Sequence, residues 1–260
     1  MMRSLILGVA ALLAVAVPSL AAAETGGAIK LTYASLDGDR SFDSESYGNS
    51  SDNVVALSGV VITDLAMPNW RIQFNGVSSD TDSEFFSDAH SQAEVHATYD
   101  AGQFQVGVFT GMFNNNGHSF YEYGAEAAMN FDRGQIAVSA VAATSPNSSF
   151  LDDTTSIVAT GTFNLNDSWS VGATVSSTDF GNFYGPNSDV DAYGVNVAYQ
   201  IPNSDFTVAV GYRSADSRQD TDFIGVSLTW GFGEGARGRE MLGGAALIPD
   251  AIAGLNDFAT

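Results

Sequence analysis

The stretch Phe223-Ile-Gly-Val-Ser-Leu-Thr-Trp-Gly-Phe232 alternates strictly, from Ile224 onward, between large apolar residues and small or polar ones. Isoleucine, valine, leucine and tryptophan occupy one parity, and glycine, serine and threonine occupy the other. Because successive side chains of a β-strand point to opposite faces, this strand has one apolar face and one polar face. Such a strand suits the wall of a transmembrane β-barrel, which contacts lipid outside and is polar inside.

The same alternation recurs along the chain, interrupted by short polar turns that lie between aromatic or apolar residues. The turns are Tyr99-Asp-Ala-Gly-Gln-Phe104, Phe131-Asp-Arg-Gly-Gln-Ile136, Phe163-Asn-Leu-Asn-Asp-Ser-Trp169 and Tyr199-Gln-Ile-Pro-Asn-Ser-Asp-Phe206. Aromatic rings at strand ends are typical of membrane barrels, because the rings sit at the level of the lipid headgroups. A soluble barrel would have the opposite polarity and no reason for aromatic residues around one rim.

The alternation predicts an all-β, transmembrane, antiparallel up-and-down barrel of about 12 strands, within a range of about 10–16. The predicted strands are 27–37, 53–63, 69–79, 89–99, 103–112, 120–131, 135–144, 154–164, 168–178, 190–200, 206–214 and 222–232. Connections after even strands are short, whereas those after odd strands are mostly longer, the longest running from Gly38 to Asp52. Outer-membrane barrels have short periplasmic turns and long extracellular loops, so both ends of the barrel are expected in the periplasm.

The two ends of the chain differ in character from the barrel, which is predicted over residues 24–233. Residues 1–23 contain an uncharged apolar run from Leu5 to Val17 and then Ala21-Ala22-Ala23. This pattern is typical of a cleaved secretory signal peptide, and a membrane anchor is the alternative. Residues 234–260 are predicted to be a periplasmic extension, either loosely ordered or packed against the periplasmic mouth of the barrel.

The composition favours an exported acidic protein. The chain has no cysteine, and 9 basic residues against 30 acidic ones give a formal net charge of −21. Nucleic acid is excluded as a partner, because binding it requires basic patches. Acidic residues cluster between strands at Asp37-Gly-Asp39, Asp80-Thr-Asp82 and Asp152-Asp153. They are interpreted as a solvated surface beside lipopolysaccharide, or alternatively as calcium ligands, although they match no regular calcium-loop spacing.

The residues expected to line a pore are the polar ones on the inward parity of the strands. They are Lys30, Arg71, Gln73, Asn75, Glu94, His96, Gln105, Glu122, Glu126, Asn130, Asn196 and Arg213. The two arginines and three glutamates are the charges that a solute is expected to meet. Eight strands fill their interior with side chains and sixteen leave an aqueous channel. With about 12 strands, the many small residues on the inward parity are therefore expected to decide whether a passage exists.

The sequence shows no evident catalytic or metal-binding arrangement, and no cofactor is expected. His90 and His96 share a parity, but same-face neighbours on one strand lie roughly 7 Å apart, which is wide for two ligands of one metal. Asp88 with His90, and His118 with Ser119, are the only candidates for an outer-membrane hydrolase. Neither pair has a recognisable partner set. The protein is therefore predicted not to be an enzyme.

The signal peptide, the aromatic turns and the final strand Phe223–Phe232 resemble those of the Gram-negative porin superfamily, and porin-like proteins of α-proteobacteria in particular. The resemblance covers nearly all of residues 24–233. It implies an outer-membrane barrel, in contact with lipid and lipopolysaccharide, that passes small hydrophilic solutes or ions. It also implies that the barrel-assembly machinery recognises the aromatic-ended final strand. General diffusion porins usually have about 16 strands, form trimers and end at an aromatic residue, whereas this chain continues from Phe232 to Thr260.

Two functional hypotheses follow from this pattern. The first is a passive channel for small hydrophilic solutes, which prefers cations because the acidic loops make its vestibule negative. The second is a structural or surface-interaction barrel with a closed lumen. Lumen polarity does not separate the two, because a closed barrel can also hold a salt-bridged interior. Conductance in a planar bilayer would separate them.

Overall fold

The computed structural model describes residues 25–42, 45–82, 87–115, 118–144, 154–179, 189–216 and 221–233. These residues form twelve strands: β1 (Thr25–Phe42), β2 (Glu45–Asp64), β3 (Trp70–Asp82), β4 (Ser87–Asp100), β5 (Phe104–Asn115), β6 (His118–Phe131), β7 (Gly134–Thr144), β8 (Thr154–Asn164), β9 (Trp169–Asp179), β10 (Asp189–Gln200), β11 (Phe206–Asp216) and β12 (Thr221–Gly233). Each strand pairs with its sequence neighbours, and β1 pairs with β12 to close the barrel. The predicted all-β, antiparallel up-and-down barrel is confirmed.

Several sequence predictions fall outside the described residues. These are the signal peptide at 1–23, the extension at 234–260, and the acidic pair Asp152-Asp153. In the part of the chain that the structure describes, no helix is long and apolar enough to cross a membrane.

The faces of the strands follow the alternation in the sequence. On β12, Ile224 is 63% exposed and Val226 is 45% exposed, so both point outward from the barrel. The intervening Gly225 and Ser227 point inward and pair with the inward residues of β1 and β11. On β12 the outer face is therefore apolar and the inner face is formed by small or polar residues, as in the wall of a membrane barrel.

Short connections lie at one end of the barrel, which we call the turn end; the opposite end is the loop end. The turn-end connections are 65–69, 101–103, 132–133, 165–168 and 201–205. Asn69 (φ 65°), Gly102 (φ 84°) and Asn203 (φ 58°) have left-handed backbone conformations there, which asparagine and glycine adopt more readily than other residues. These residues explain why the turns can be so tight.

The connection predicted to be the longest loop, Gly38 to Asp52, is instead mostly strand. β1 and β2 stay paired beyond their neighbours, through Gly38 with Ser50 and on to Phe42 with Glu45. The prediction was wrong because it rested on Asp, Ser and Gly content. The ends of β1 and β2 continue their antiparallel pairing here. This pairing satisfies the backbone N–H and C=O groups of both strands and does not depend on which side chains they carry.

Aromatic side chains surround the outer surface near both ends. At the turn end, Trp70 packs on Tyr99 with 5.5 Å between ring centroids, and Trp169 packs on Tyr199 with 4.7 Å. Trp230, also near the turn end, and Asp222, near the loop end, lie on β12. A rise of about 3.3 Å per residue and a tilt of about 40° put them about 20 Å apart along the barrel axis. This height approaches the apolar band of about 25 Å found in membrane barrels.

Candidate functional site

The inward side chains of β3, β4 and β6 form a buried network, which we call the polar cluster. It consists of Gln73, Asn75, Gln92, Glu94, His96, Glu122 and Glu126, and each side chain is largely inaccessible to water. Strand register brings these residues together, because Gln73 pairs with His96 and Asn75 pairs with Glu94 across β3 and β4. The side chains then meet those of β6 across Gly107 and Gly111 of β5.

His96 lies at the centre of the polar cluster and is fully buried. Its Nδ1 lies 3.1 Å from Glu126 Oε1, and its Nε2 lies 3.0 Å from Glu94 Oε2. The Nδ2 atom of Asn75 lies 3.0 Å from the same Nε2 and 3.3 Å from Glu94 Oε2. Both ring nitrogens therefore contact polar side chains, from β6 at Nδ1 and from β3 and β4 at Nε2, and the imidazole holds two carboxyl groups in place.

Gln92 connects the second part of the polar cluster. Its amide nitrogen donates to Glu94 Oε1 at 3.0 Å and to Glu122 Oε1 at 2.8 Å. Glu122 Oε2 and Glu126 Oε2 have no hydrogen-bond partner among the described residues. Such a network is costly to disturb, because an unsatisfied polar group in a low-dielectric interior costs more than a satisfied one gains.

Glycines on β5 provide the space in which the polar cluster packs. A Cβ atom on Gly107 would lie 2.8 Å from Glu126 Oε1, and one on Gly111 would lie 2.8 Å from Glu122 Oε1. Both distances are too short for a real contact, so the carboxyl groups lie directly over the β5 backbone. These glycines are a signal in the sequence that large side chains from adjacent strands cover β5.

Arg71 is also buried but belongs to a separate group at the turn end. Its Nε lies 3.1 Å from Asp64 Oδ1, and its Nη2 lies 2.6 Å from Asp100 Oδ2. Gln105 Nε2 lies 3.5 Å from the same Asp100 oxygen. The guanidinium is thus held between two carboxylates rather than pointing into open solvent.

Apolar residues also fill part of the interior, which the sequence analysis did not predict. The upper apolar cluster, towards the loop end, contains Phe109, Phe113, Val141, Ala143, Val190, Ala192 and Ala215, with Phe120 packed against it. Phe109 stacks on His96 with centroids 4.9 Å apart, and Phe113 stacks on Phe120 with centroids 4.5 Å apart. This cluster joins β5 and β7 to β10 and β11 and so occupies that sector of the lumen.

A smaller group, the lower apolar cluster, lies towards the turn end. It consists of Ile62, Ala128 and Ala137, with Val60 packed against them. These residues come from β2, β6 and β7. The lower apolar cluster therefore covers the inner surface between β2 and β7. The two apolar clusters lie at different heights, and their sectors overlap at β6 and β7.

One part of the remaining inward surface is open. We call the inward residues of β1 and β12 the β12–β1 wall; in order from the turn end they include Lys30, Thr32 and Ala34 on β1, and Thr229, Ser227 and Gly225 on β12. Lys30 is exposed, and the other five residues are partly exposed. On β10, Asn196 is also exposed and covers Gly172 of β9. Water therefore reaches the inner surface on this side.

The structure places all twelve expected pore residues on inward faces but in three different environments. Eight are buried: Arg71, Gln73, Asn75, Glu94, His96, Gln105, Glu122 and Glu126. Asn130 and Arg213 are partly buried, and Lys30 and Asn196 are exposed. The charges that a solute was expected to meet are therefore largely packed into the wall, with Glu94, Glu122 and Glu126 only 2%, 1% and 5% exposed.

Among the described residues, no group of three or more histidine, aspartate and glutamate side chains is placed to hold a metal ion. His90 is buried on β4, two positions from Gln92 on the same face. The side chains of Asp88 and His118, proposed above for a hydrolase, lie outside the described part of the chain.

Comparison with known proteins gives structural relatives only. No family model and no curated protein matches the chain. A NanC porin superposes with a TM-score of 0.56 at 9% identity, covering 78% of this chain and 98% of that one. A KdgM porin in complex with disordered oligogalacturonate superposes with a TM-score of 0.52 at 12% identity, covering 77% and 97%.

The fold is that of these porin barrels. At this level of identity the similarity extends to the architecture and to nothing finer, so solutes and selectivity must be argued from the residues of this chain. The prediction that this protein is not an enzyme stays a prediction.

Proposed function

We propose that this protein is a passive channel of the bacterial outer membrane for small hydrophilic solutes. The observation that carries the proposal is the open β12–β1 wall, where Lys30 is exposed on an inward face and its neighbours are small. A side chain inside a closed barrel reaches that exposure only where the lumen has room for water. The porin fold of the structural relatives supports the same function.

The outer surface supports the membrane location. Large apolar residues are exposed around the barrel, among them Val108 at 60% and Val195 at 57%. A continuous apolar surface of this size would be unstable in water and is stabilised by lipid. The proposal includes export by the signal peptide, insertion by the barrel-assembly machinery, and contact with lipid and lipopolysaccharide. The narrower resemblance to α-proteobacterial porin-like proteins stays a prediction.

A closed-lumen structural barrel is the second candidate. It is favoured by the polar cluster and the two apolar clusters, which together fill a large part of the interior. The two candidates differ in one measurable property. The purified chain in a planar bilayer should show discrete conductance steps if the β12–β1 wall borders a continuous passage.

A bulky residue on the β12–β1 wall should narrow that passage. Ser227→Trp places an indole inside the lumen and should lower single-channel conductance by roughly twofold or more, because conduction falls with the radius of the pore. Val226→Trp is the matched control, since it adds the same ring one residue away on the lipid-facing side, where tryptophan is tolerated. Equal conductance in the two variants would show that the passage does not follow this wall.

The proposed channel should prefer cations at low ionic strength. Support comes from the net charge of −21 and from an acidic rim at the loop end. The rim consists of the exposed residues Asp179, Asp189, Asp191, Asp216 and Asp222. Such a rim attracts cations to the mouth, and salt screens it over about 10 Å at 0.1 M but about 3 Å at 1 M. The reversal potential in a salt gradient should therefore show a cation preference that shrinks in concentrated salt; anion preference in dilute salt would contradict it.

A further inference from the structure

We propose that Lys30 is the residue that sets charge selectivity inside the lumen, as a fixed positive charge on the wall of the passage. The proposal rests on the channel function proposed above. It differs from the expectation drawn from the sequence, in which arginines and glutamates were the charges that a solute would meet.

The position of the passage follows from the two apolar clusters. The upper apolar cluster occupies the side between β5 and β11 near the loop end. The lower apolar cluster covers the side between β2 and β7 near the turn end. β12 and β1 contribute to neither cluster, and the β12–β1 wall from Lys30 to Ala34 is exposed or partly exposed, whereas Ala28, nearer the turn end, is buried. The passage proposed here follows the β12–β1 wall.

The surroundings of Lys30 leave its ammonium group in the lumen. Its cross-strand partners are Ser58 on β2 and Thr229 on β12, and its inward neighbours on β1 are Ala28 and Thr32. All four side chains are short, so the flexible lysine stem extends beyond them. Lys30 forms no ion pair with any residue in the described part of the chain, and it is exposed.

The other charged residues on inward faces are less accessible to a passing ion. Glu94, Glu122 and Glu126 are buried in the polar cluster, and Arg71 is held between Asp64 and Asp100 at the turn end. Arg213 is partly buried, its Nη2 atom is inaccessible, and its Cγ atom would lie 3.6 Å from a Cβ on Gly194. Lys30 is therefore the exposed charge on the open wall among the described residues.

A single charge can have this effect because an ion in a narrow passage comes within several ångströms of the wall. In water, two unit charges about 7 Å apart interact with an energy close to RT. The acidic rim acts on ions at the mouth, whereas Lys30 acts at the wall itself. Lys30 therefore opposes the cation preference of the rim, and removing its charge should strengthen that preference.

The test is the reversal potential of bilayer channels in a dilute salt gradient. Lys30→Gln should raise the cation-to-anion permeability ratio by about sevenfold, because the energies of the cation and the anion each change by about RT in opposite directions. Lys30→Glu should raise the ratio by about fiftyfold. Lys30→Arg, which keeps the charge, should match the wild type. The matched control is Arg133→Gln, because Arg133 is an exposed cation in the 132–133 turn, outside the lumen. It changes the net charge equally but should alter the ratio by less than about 1.5-fold, because its charge is far from the passage.

The outcomes separate this inference from the proposed function. Conducting channels in which Lys30→Gln and Arg133→Gln shift the ratio equally would overturn the role of Lys30 and leave the channel function intact. A wild-type chain that folds but forms no channel would overturn the proposed function and the role of Lys30 with it. Folding of each variant is checked by its heat-modifiable mobility on gels, and Lys30→Arg provides a conservative variant at the same position.

Discussion

Replacing Val226 with arginine is expected to lower the free energy of unfolding by about 2–4 kcal/mol. Val226 lies on the outer face of β12, midway between Trp230 and Asp222, and is 45% exposed. In a bilayer this position lies near the centre of the hydrocarbon layer, where a guanidinium loses its hydration. Arginine cannot reach the interface from this depth without distorting the bilayer, so the cost is near its maximum.

The adjacent residue provides the control for this prediction. Ser227→Arg makes the same chemical change at nearly the same height, but its side chain points into the lumen beside Thr32 and Ala209. There the guanidinium remains hydrated, so the free energy of unfolding should change by less than about 1 kcal/mol. Both variants can be compared by denaturant unfolding in lipid vesicles. Equal losses of stability would mean that the lipid and lumen faces of β12 have been assigned incorrectly.

His96→Leu is expected to destabilise the barrel by about 3–5 kcal/mol. The imidazole contacts both Glu94 Oε2 and Glu126 Oε1, and all three side chains are buried. Leucine would leave both carboxyl groups without that partner in a site that water does not reach. The loss comes from the unsatisfied groups rather than from a missing contact. Unfolding in vesicles measures it, as for Val226.

A triple variant tests whether the loss has this origin. His96→Leu combined with Glu94→Met and Glu126→Leu removes the imidazole and both carboxyl groups and keeps similar volume. The triple variant should recover roughly half of the loss or more, because it removes both carboxyl groups together with their partner. Recovery is incomplete, because Asn75 Nδ2 then loses both of its partners. If the triple variant were no more stable than His96→Leu, packing of the imidazole on Phe109 would instead explain the loss.

The fold could be predicted because alternation with period two is a local property of the sequence. The parity of β12 is evident from Ile224 to Phe232 alone, and the aromatic turns mark where strands reverse. The extension of the β1–β2 hairpin through residues 38–52 was missed, because pairing between polar segments depends on backbone hydrogen bonds and not on side-chain alternation.

The candidate site was only partly predictable. Parity placed Glu94, His96 and Glu126 on inward faces, but it could not show that they pack against one another. That contact depends on the register of β4, β5 and β6. It also depends on Gly107 of β5, which has no side chain and so leaves room for the Glu126 carboxyl group. An inward residue contacts either water or side chains from the opposite side of the barrel. Which of the two it contacts depends on which strands face each other across the closed barrel, and this is a property of the whole chain.

Phe109 illustrates the difference between parity and packing. It shares the inward parity of Gln105 and Gly107, so its direction follows from the sequence. Its place in the upper apolar cluster does not follow from the sequence, because the other cluster members on β10 and β11 are distant in sequence. The glycines at Gly107 and Gly111, on either side of Phe109 on the same face, were the available sign that β5 is covered.

The closure between β1 and β12 also sets how this chain can fold. Gly26 pairs with Gly233 and Gly38 pairs with Thr221, so the first strand meets the last across almost the whole barrel sequence. Contacts this distant in sequence raise contact order and slow folding. Until they form, two strand edges have unpaired backbone groups, each of which costs several kcal/mol in hydrocarbon. Partial barrels are therefore poor intermediates within the bilayer, and the strand synthesised last is the one that makes insertion cooperative.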